Sequence, residues 1–354
     1  MGVTVPSGPA RATLRRAVLR PGWVVCGLLA IPALAGLSVP APLRYLPFVV
    51  SLVVLGLPHG AVDHLAELRA RGGEVDGLRE WLVDPAAGAL RRVSLLYAVL
   101  GGLYLAAWLV APVASFVFFI LLTWFHWGQG DLYVLREFVE ESHLRTPLQR
   151  ALAVVVRGGL PMLVPLVGGP AEYREVATRT VGLFDPGAAA ALDPVFEPTA
   201  RLALGTAFGA MTLLALGLGF LRARETGTMA SWRIDAVETA VLWGYFLVVG
   251  PILAIGVYFT VWHSLRHVAR LVSLDRPAEQ ALATGDLLGP AARFARDAAP
   301  LTAVSLVILA GLYVALPTGG DLGGVLAVYL VLLAVLTLPH VVVVTRMDRA
   351  QGVW

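Results

Sequence analysis

Lysine is absent from this chain of 354 residues, and all 27 basic side chains are arginines. Without lysine no side-chain Schiff base can form, which excludes a retinylidene photoreceptor. Cysteine occurs once, as Cys26, which excludes disulfide frameworks, thiolate zinc sites and Cys-ligated iron–sulfur clusters. Any bound metal must therefore be held by histidine and carboxylate side chains.

Charge of either sign is also scarce. Only 14% of the residues are charged and 58% are hydrophobic, whereas soluble domains carry about 25% charged residues. So few charged residues cannot cover the surface of a water-soluble domain of this size. We therefore predict an all-α, polytopic integral membrane bundle. The formal net charge is only +3, and the arginines are spread between apolar runs, so nothing favours a nucleic-acid partner.

Apolar runs near the ~20 residues that a spanning helix needs predict about ten transmembrane helices. The predicted spans are 23–40, 44–61, 93–111, 113–130, 151–168, 201–221, 236–250, 251–272, 299–316 and 323–344. The weakest division lies between the seventh and eighth spans, where 236–272 could be one helix. Gly250-Pro251 favours a break there, because proline disfavours helical geometry in the residue before it.

Arginine is distributed unevenly between the predicted loops. Four arginines (Arg11, Arg15, Arg16 and Arg20) precede the first span, and one side of the bundle holds only Arg44, Arg174, Arg179 and Arg201. By the positive-inside rule, both termini are predicted to be cytoplasmic in a multi-pass cell-membrane protein. We divide the chain into a cytoplasmic arm (1–22), a single transmembrane domain (23–345) and a cytoplasmic tail (346–354). Residues 169–200 form a predicted external loop that carries a short helix.

Six of the seven histidines fall in the even-numbered spans or, for His64, just beyond the end of one, at compatible depths. They are His59, His64, His126, His263, His267 and His340. Polar groups inside a bilayer normally face the bundle interior and one another. His263 and His267 are four residues apart, so their imidazoles share one helix face. This layer predicts a metal site, and a site of imidazoles without thiolates suits iron, zinc or copper.

Few carboxylates share this depth. Asp63 follows His59 by four residues, and Asp131 follows His126 by five. We interpret both as outer groups that orient imidazoles through the second ring nitrogen. Four histidines without a bound carboxylate would leave an octahedral ferrous ion two open positions. We expect Arg266, between the paired histidines, to point away from their shared face and reach the cytoplasmic interface.

Four motifs around these histidines are similar to those of a known family. They are Gly56-Leu57-Pro58-His59-Gly60 with Asp63-His64, Phe125-His126-Trp127-Gly128 with Asp131, His263-Ser264-Leu265-Arg266-His267, and Leu338-Pro339-His340. With these motifs the sequence resembles the Brp/Blh family of membrane β-carotene 15,15′-dioxygenases. The resemblance spans positions 56 to 340 and implies symmetric cleavage of β-carotene to two all-trans-retinals with ferrous iron and dioxygen. It also implies the lipid bilayer as surroundings and a rhodopsin apoprotein as an acceptor of retinal.

Carried over by position, the resemblance implies four catalytic iron ligands: His59, His126, His263 and His267. Asp63 and Asp131 match polar family positions beside the ligands. The roles of His64 and His340 stay open, so a different four of the six histidines could bind the iron. Six aromatic residues beside the histidines could line a tunnel for the polyene or serve ordinary packing: Trp124, Phe125, Trp127, Tyr258, Phe259 and Trp262.

Two other function classes stay open on the residues alone. A diiron membrane hydroxylase or desaturase would also use spaced histidines such as His59 and His64, but those enzymes carry more histidines and HxxHH boxes, which this chain lacks. A non-enzymatic bundle could bind haem between two helices or transport a metal. A haem absorption band or metal flux into proteoliposomes would distinguish these from the dioxygenase.

Overall fold

The computed structural model describes residues 8–70, 85–139 and 142–354, and within these ranges the chain is helical without a β-strand. The α-helices are α1 (Gly8–Leu34), α2 (Ala41–Arg44), α3 (Leu46–Ser51), α4 (Gly56–Ala61), α5 (Asp63–Ala70), α6 (Pro85–Val110), α7 (Pro112–Tyr133), α8 (Pro147–Gly168), α9 (Pro170–Gly182), α10 (Asp193–Phe196), α11 (Pro198–Thr226), α12 (Met229–Val248), α13 (Pro251–Val257), α14 (Leu265–Ser273), α15 (Arg276–Ala283), α16 (Leu288–Ala315) and α17 (Leu322–Gln351). Two π-helical turns, Val134–Phe138 and Tyr258–Ser264, continue α7 and α13. The predicted all-α class is confirmed.

Eight stretches of the described residues are long and apolar enough to cross a membrane. They are Gly8–Leu34, Ala41–Ala61, Gly88–Val110, Pro112–Phe138, Pro147–Gly168, Pro198–Thr226, Leu288–Ala315 and Leu322–Gln351. The chain is therefore a polytopic helical membrane protein, as predicted. Six predicted spans correspond to one of these helices each: the third to the sixth, the ninth and the tenth.

The seventh and eighth predicted spans correspond to α12 and to the run from α13 to α14, which are not among the eight stretches. Asp235 and Glu238 lie within α12, and Arg266 and Arg270 within α14. The predicted break is confirmed, because α12 ends at Val248 and α13 begins at Pro251. Gly250 has an extended backbone (φ −54°, ψ 141°), as expected before a proline.

The second predicted span, 44–61, is not one continuous helix. It consists of α2, α3 and α4, with turns at residues 52–55. The chain folds back tightly at Gly56, where a Cβ atom would lie 2.5 Å from the Ser51 carbonyl oxygen and 2.7 Å from the Phe259 ring. The bend leaves His59 on a short, separate helix.

One predicted boundary differs from the structure, whereas the predicted loop agrees with it. α1 begins at Gly8, inside the predicted arm 1–22, whose first seven residues lie outside the described ranges. The predicted loop 169–200 does carry a short helix, α9, followed by helical turns at Ala188–Leu192 and Asp193–Phe196. The membrane sides assigned to these segments stay predictions.

Two helices form the interior of the bundle. In the most apolar stretch of α8, 67% of the residues are buried, and in that of α17, 61%, against 11% for α16. α8 packs on α7, α11 and α12, while α17 packs on α6, α9 and α16. Gly128 and Gly158 allow α7 and α8 to approach closely, because a Cβ atom at Gly158 would overlap the Trp124 carbonyl.

Candidate metal centre

Five imidazoles from five helical elements meet inside the bundle. His59 comes from α4, His126 from α7, His263 from the π-helical turn, His267 from α14 and His340 from α17. Each side chain is at most 7% exposed. We call these five residues the histidine cluster. It brings together all four predicted ligands and one of the two histidines whose role was open.

The rings of the cluster are in mutual contact. The ring centre of His126 lies 4.7 Å from that of His263 and 4.7 Å from that of His340. The His59 ring lies 5.1 Å from His340 and 5.3 Å from His267. His267 is 5.1 Å from His340. These contacts place His340 inside the cluster, between the predicted ligands.

The ring nitrogens are spaced for a shared ion. The Nε2 atoms of His126 and His263 are 3.1 Å apart, and one nitrogen each of His59, His126 and His263 lie within 4.8 Å of one another. Two nitrogens bound at about 2.1 Å to one ion at a right angle are about 3.0 Å apart. The facing Nε2 atoms of His126 and His263 therefore fit two ligands of one metal.

Three buried nitrogens of the cluster have no hydrogen-bond partner among the described residues: His126 Nδ1, His267 Nε2 and His340 Nε2. A buried polar atom without a partner destabilises the fold by about 1–3 kcal/mol, so three in one place are unusual. A cation bound by the imidazoles would supply the missing partner for His267 and His340. The donor set is compatible with a metal site.

Groups around the cluster fix the orientation of two of its rings. His340 Nδ1 lies 2.8 Å from Asp63 Oδ2, and the Tyr97 hydroxyl donates to the same oxygen at 2.5 Å. His59 Nδ1 lies 3.3 Å from both the Leu55 carbonyl oxygen and the Ser264 hydroxyl. An Nδ1–H donated outward leaves Nε2 as the acceptor that faces the cluster. Asp63 thus orients a histidine. The histidine is His340 of α17 rather than His59 of the same motif.

Asp131 occupies a different place from the predicted one beside a histidine. It accepts hydrogen bonds from Arg157 Nε at 2.8 Å, Arg266 at 3.0 Å and Trp262 Nε1 at 3.1 Å. Glu238 pairs with both Arg157 and Arg266. The expectation that Arg266 reaches the interface is wrong, because the residue is 1% exposed and balanced by two buried carboxylates. We call Asp131, Arg157, Glu238 and Arg266 the arginine network.

The arginine network is connected to the histidine cluster through neighbouring residues of the chain. It joins α7, α8, α12 and α14, and the Arg266 guanidinium stacks on Trp262, 4.0 Å from the ring centre. Trp262 and Arg266 are sequence neighbours of His263 and His267. Sequence reasoning missed Arg157 and Glu238, although an ionisable residue inside an apolar run is itself a functional signal.

Two of the six predicted tunnel residues border a cavity. Trp127 and Phe259 line an apolar cavity of about 80 Å³. The Trp127 ring lies 5.4 Å from that of His263, and the Phe259 ring lies 5.8 Å from that of His59. This apolar cavity is therefore separated from the histidine cluster by one layer of aromatic side chains.

The other four aromatic residues pack elsewhere. Trp124 donates to the Val155 carbonyl on α8, and Phe125 is stacked against Trp354 near the C-terminus. Tyr258 stacks on Trp262, which belongs to the surroundings of the arginine network. His64, the remaining histidine of open role, lies on α5 next to Asp63 but belongs to neither potential ligand group of the described residues.

Comparisons with known proteins agree with the motifs. The model of the beta-carotene 15,15'-dioxygenase family matches residues 50–348. The chain is 48% identical to a probable beta-carotene 15,15'-dioxygenase Blh of Halobacterium salinarum, over 100% of this chain and 98% of that protein. It is 34% identical to a probable beta-carotene 15,15'-dioxygenase Brp of the same species, over 90% of this chain and 88% of that protein. The chain belongs to this family.

Membership of the beta-carotene 15,15'-dioxygenase family confirms the resemblance seen in the sequence motifs. The matched range includes every residue of the histidine cluster and of the arginine network. Neither the hydroxylase nor the haem or transport alternative is favoured by these relatives. No solved structure matches the chain.

Proposed function

We propose that this protein cleaves β-carotene at its central 15,15′ double bond with dioxygen and releases two molecules of all-trans-retinal. The observation that carries the proposal is a buried cluster of five imidazoles beside an apolar cavity, in a chain of this family. The substrate is a hydrocarbon that dissolves only in lipid, which matches a catalytic centre inside a helical membrane bundle.

We further propose that the histidine cluster holds one ferrous ion. His59, His126, His263 and His267 are the ligands that the sequence predicts, and the contacts of His340 add a fifth. A thiolate-free imidazole set suits iron, and the family's reaction needs a metal that activates dioxygen. That activation of dioxygen is the chemistry that ferrous iron supplies when bound.

The protein's own side chains have three tasks in this reaction. Asp63 orients the His340 imidazole, the arginine network ties together the helices that carry His126 and His267, and the apolar walls exclude water and position the double bond. The net reaction breaks one carbon–carbon double bond and leaves one oxygen atom on each carbon, so no proton is gained or lost. No general acid or base is required, which agrees with carboxylates that are occupied by arginine, tyrosine or histidine.

The membrane orientation and the fate of the product are also proposals. The arginine distribution supports a cell-membrane protein with both termini in the cytoplasm. Retinal is apolar and leaves into the bilayer, where a rhodopsin apoprotein is the natural acceptor, since this chain has no lysine to retain it. Fusing a reporter enzyme to either terminus tests the orientation.

Asp63→Asn is expected to weaken metal binding by about 10–100-fold, the usual effect of losing an outer partner of a ligating histidine. Asparagine keeps the shape of Asp63 but removes the charge that orients His340. Competition with a chelator on purified protein measures the affinity, and Asp193→Asn, at a carboxylate 54% exposed, is the control. Unchanged affinity in Asp63→Asn would show that the contact between Asp63 and His340 does not support metal binding.

Expression in a bacterium that accumulates β-carotene tests the proposed function. The cells are expected to lose their colour and to accumulate retinal, measured by chromatography of lipid extracts. The same host with an empty vector provides the baseline. Persistence of β-carotene with well-expressed protein in the membrane would refute the assignment.

A further inference from the structure

A second cavity reaches the histidine cluster from the side of the bundle. It has a volume of about 400 Å³, and His59 and His340 form part of its wall. Its sides are α6 and α16, and both of these helices pack against α17 behind it. The volume falls within the about 300–1,000 Å³ of typical small-molecule pockets.

The outer end of this cavity opens between α6 and α16. On α6, Ser94, Ala98 and Gly102 line it at intervals of four residues, so they share one helix face, and all three are exposed. Across the opening, Val304 and Ile308 on α16 are 52% and 44% exposed. These positions lie well inside two helices that are apolar enough to span a membrane, so the opening faces acyl chains rather than water.

The wall of the cavity is apolar as far as the histidines. The Ser305 and Thr337 hydroxyls donate to carbonyl oxygens of their own helices, which leaves them little polarity to offer a ligand. At the inner end, Asp63 is already bonded to Tyr97 and His340. Such a mostly apolar wall suits a hydrocarbon whose reacting bond is at the inner end, where the polar side chains of the lining are concentrated.

The smaller apolar cavity lies close to the histidine cluster, but no histidine of the cluster lines it. It is bordered by Trp127 and Phe259, which contact His263 and His59, and Leu333 lines both cavities. A long symmetric polyene that places its middle bond at the cluster must extend away from it on two sides. The larger cavity, which His59 and His340 line, supplies one such direction.

We propose that the opening between α6 and α16 is the lateral portal through which a long apolar polyene enters from the bilayer, and that the cavity behind it holds one half of that molecule. The inference rests on the proposed function, because it takes a polyene as the substrate.

Gly102→Cys tests the portal after the protein has folded. A Cβ atom at Gly102 meets nothing within 4 Å, so the thiol lies at the opening without steric conflict. Membranes are treated with benzyl methanethiosulfonate, and retinal formation is compared with the same variant left untreated. The bulky adduct is expected to lower the initial rate of retinal formation about tenfold or more, which is the scale of a mismatch in an apolar pocket. A reducing agent removes the adduct and is expected to restore the rate.

Gly217→Cys is the matched control, because Gly217 is also exposed on a long helix and its Cβ atom also meets nothing within 4 Å. Its labelled form is expected to keep the rate of its unlabelled form. Wild-type protein treated with the same reagent controls for labelling of the native Cys26, which is 1% exposed. Ala98→Cys, on the same face of α6, repeats the test if Gly102→Cys has little activity before labelling.

A binding measurement separates failure of the portal from failure of the proposed function. In metal-depleted protein, β-carotene is expected to slow labelling of Gly102→Cys but not of Gly217→Cys. Full activity of the labelled Gly102→Cys protein, or labelling that β-carotene does not slow, would overturn the portal. Wild-type protein that makes no retinal would instead refute the function, while the labelling rates would still report whether the polyene occupies the opening.

Discussion

His126→Ala and His263→Ala are each expected to abolish retinal formation while the protein stays in the membrane. The Nε2 atoms of these residues face each other at 3.1 Å inside the cluster, so each change removes a proposed ligand and leaves a cavity without a donor. Metal affinity is expected to fall by more than the about 10–100-fold that follows from the loss of an outer partner. Metal content per chain and retinal in lipid extracts are the measurements.

His64→Ala is the informative control for these variants. His64 is a buried histidine in the same motif as His59, but it lies outside the histidine cluster. This variant is expected to keep the metal, measured on the same purified samples. Loss of the metal in His64→Ala together with its retention in His126→Ala would assign the ligands to a different set of histidines.

Arg266→Ala is expected to destabilise the protein by about 3–5 kcal/mol, the cost of removing one partner from a buried ion pair. Arg266 is 1% exposed, and its loss leaves Glu238 and Asp131 with Arg157 as the remaining guanidinium partner in the arginine network. The Trp262 ring beside His263 also loses the cation stacked on it. Denaturant or thermal unfolding in detergent, followed by tryptophan fluorescence, measures the change.

The exposed pair of Arg222 with Glu225 gives the matched control, because both side chains are about half exposed. Arg222→Ala is expected to change stability by at most about 1 kcal/mol. Arg266→Lys keeps the charge but loses the planar fork that bridges two carboxylates, so its stability is expected to lie between wild type and Arg266→Ala. Equal stability of Arg222→Ala and Arg266→Ala would show that the arginine network contributes no net stabilisation.

The sequence predicted those features that local patterns determine. Long apolar runs indicated the spanning helices, and Gly250-Pro251 indicated the break that the structure has there. Histidines at one depth in four predicted spans indicated a cluster, and five of the six meet in the structure.

Features that depend on contacts between distant residues could not be read from the sequence. The bend between α3 and α4 follows from the close approach of Gly56 to Phe259, about two hundred positions away in the chain. Arg266 is buried because Asp131 and Glu238 come from two other helices. The same pairing explains why Asp131 orients no imidazole. The cavity between α6 and α16 exists because both helices pack on α17, which no local pattern encodes.

Product analysis with purified protein tests the central claim most directly. The protein is depleted of metal with a chelator, reloaded with ferrous iron, and supplied with β-carotene in detergent under air. We predict two retinals for each β-carotene consumed, formed only by the iron-loaded protein and not by iron-loaded His126→Ala. Cleavage products of unequal length, or equal retinal formation by the metal-depleted protein, would contradict the account.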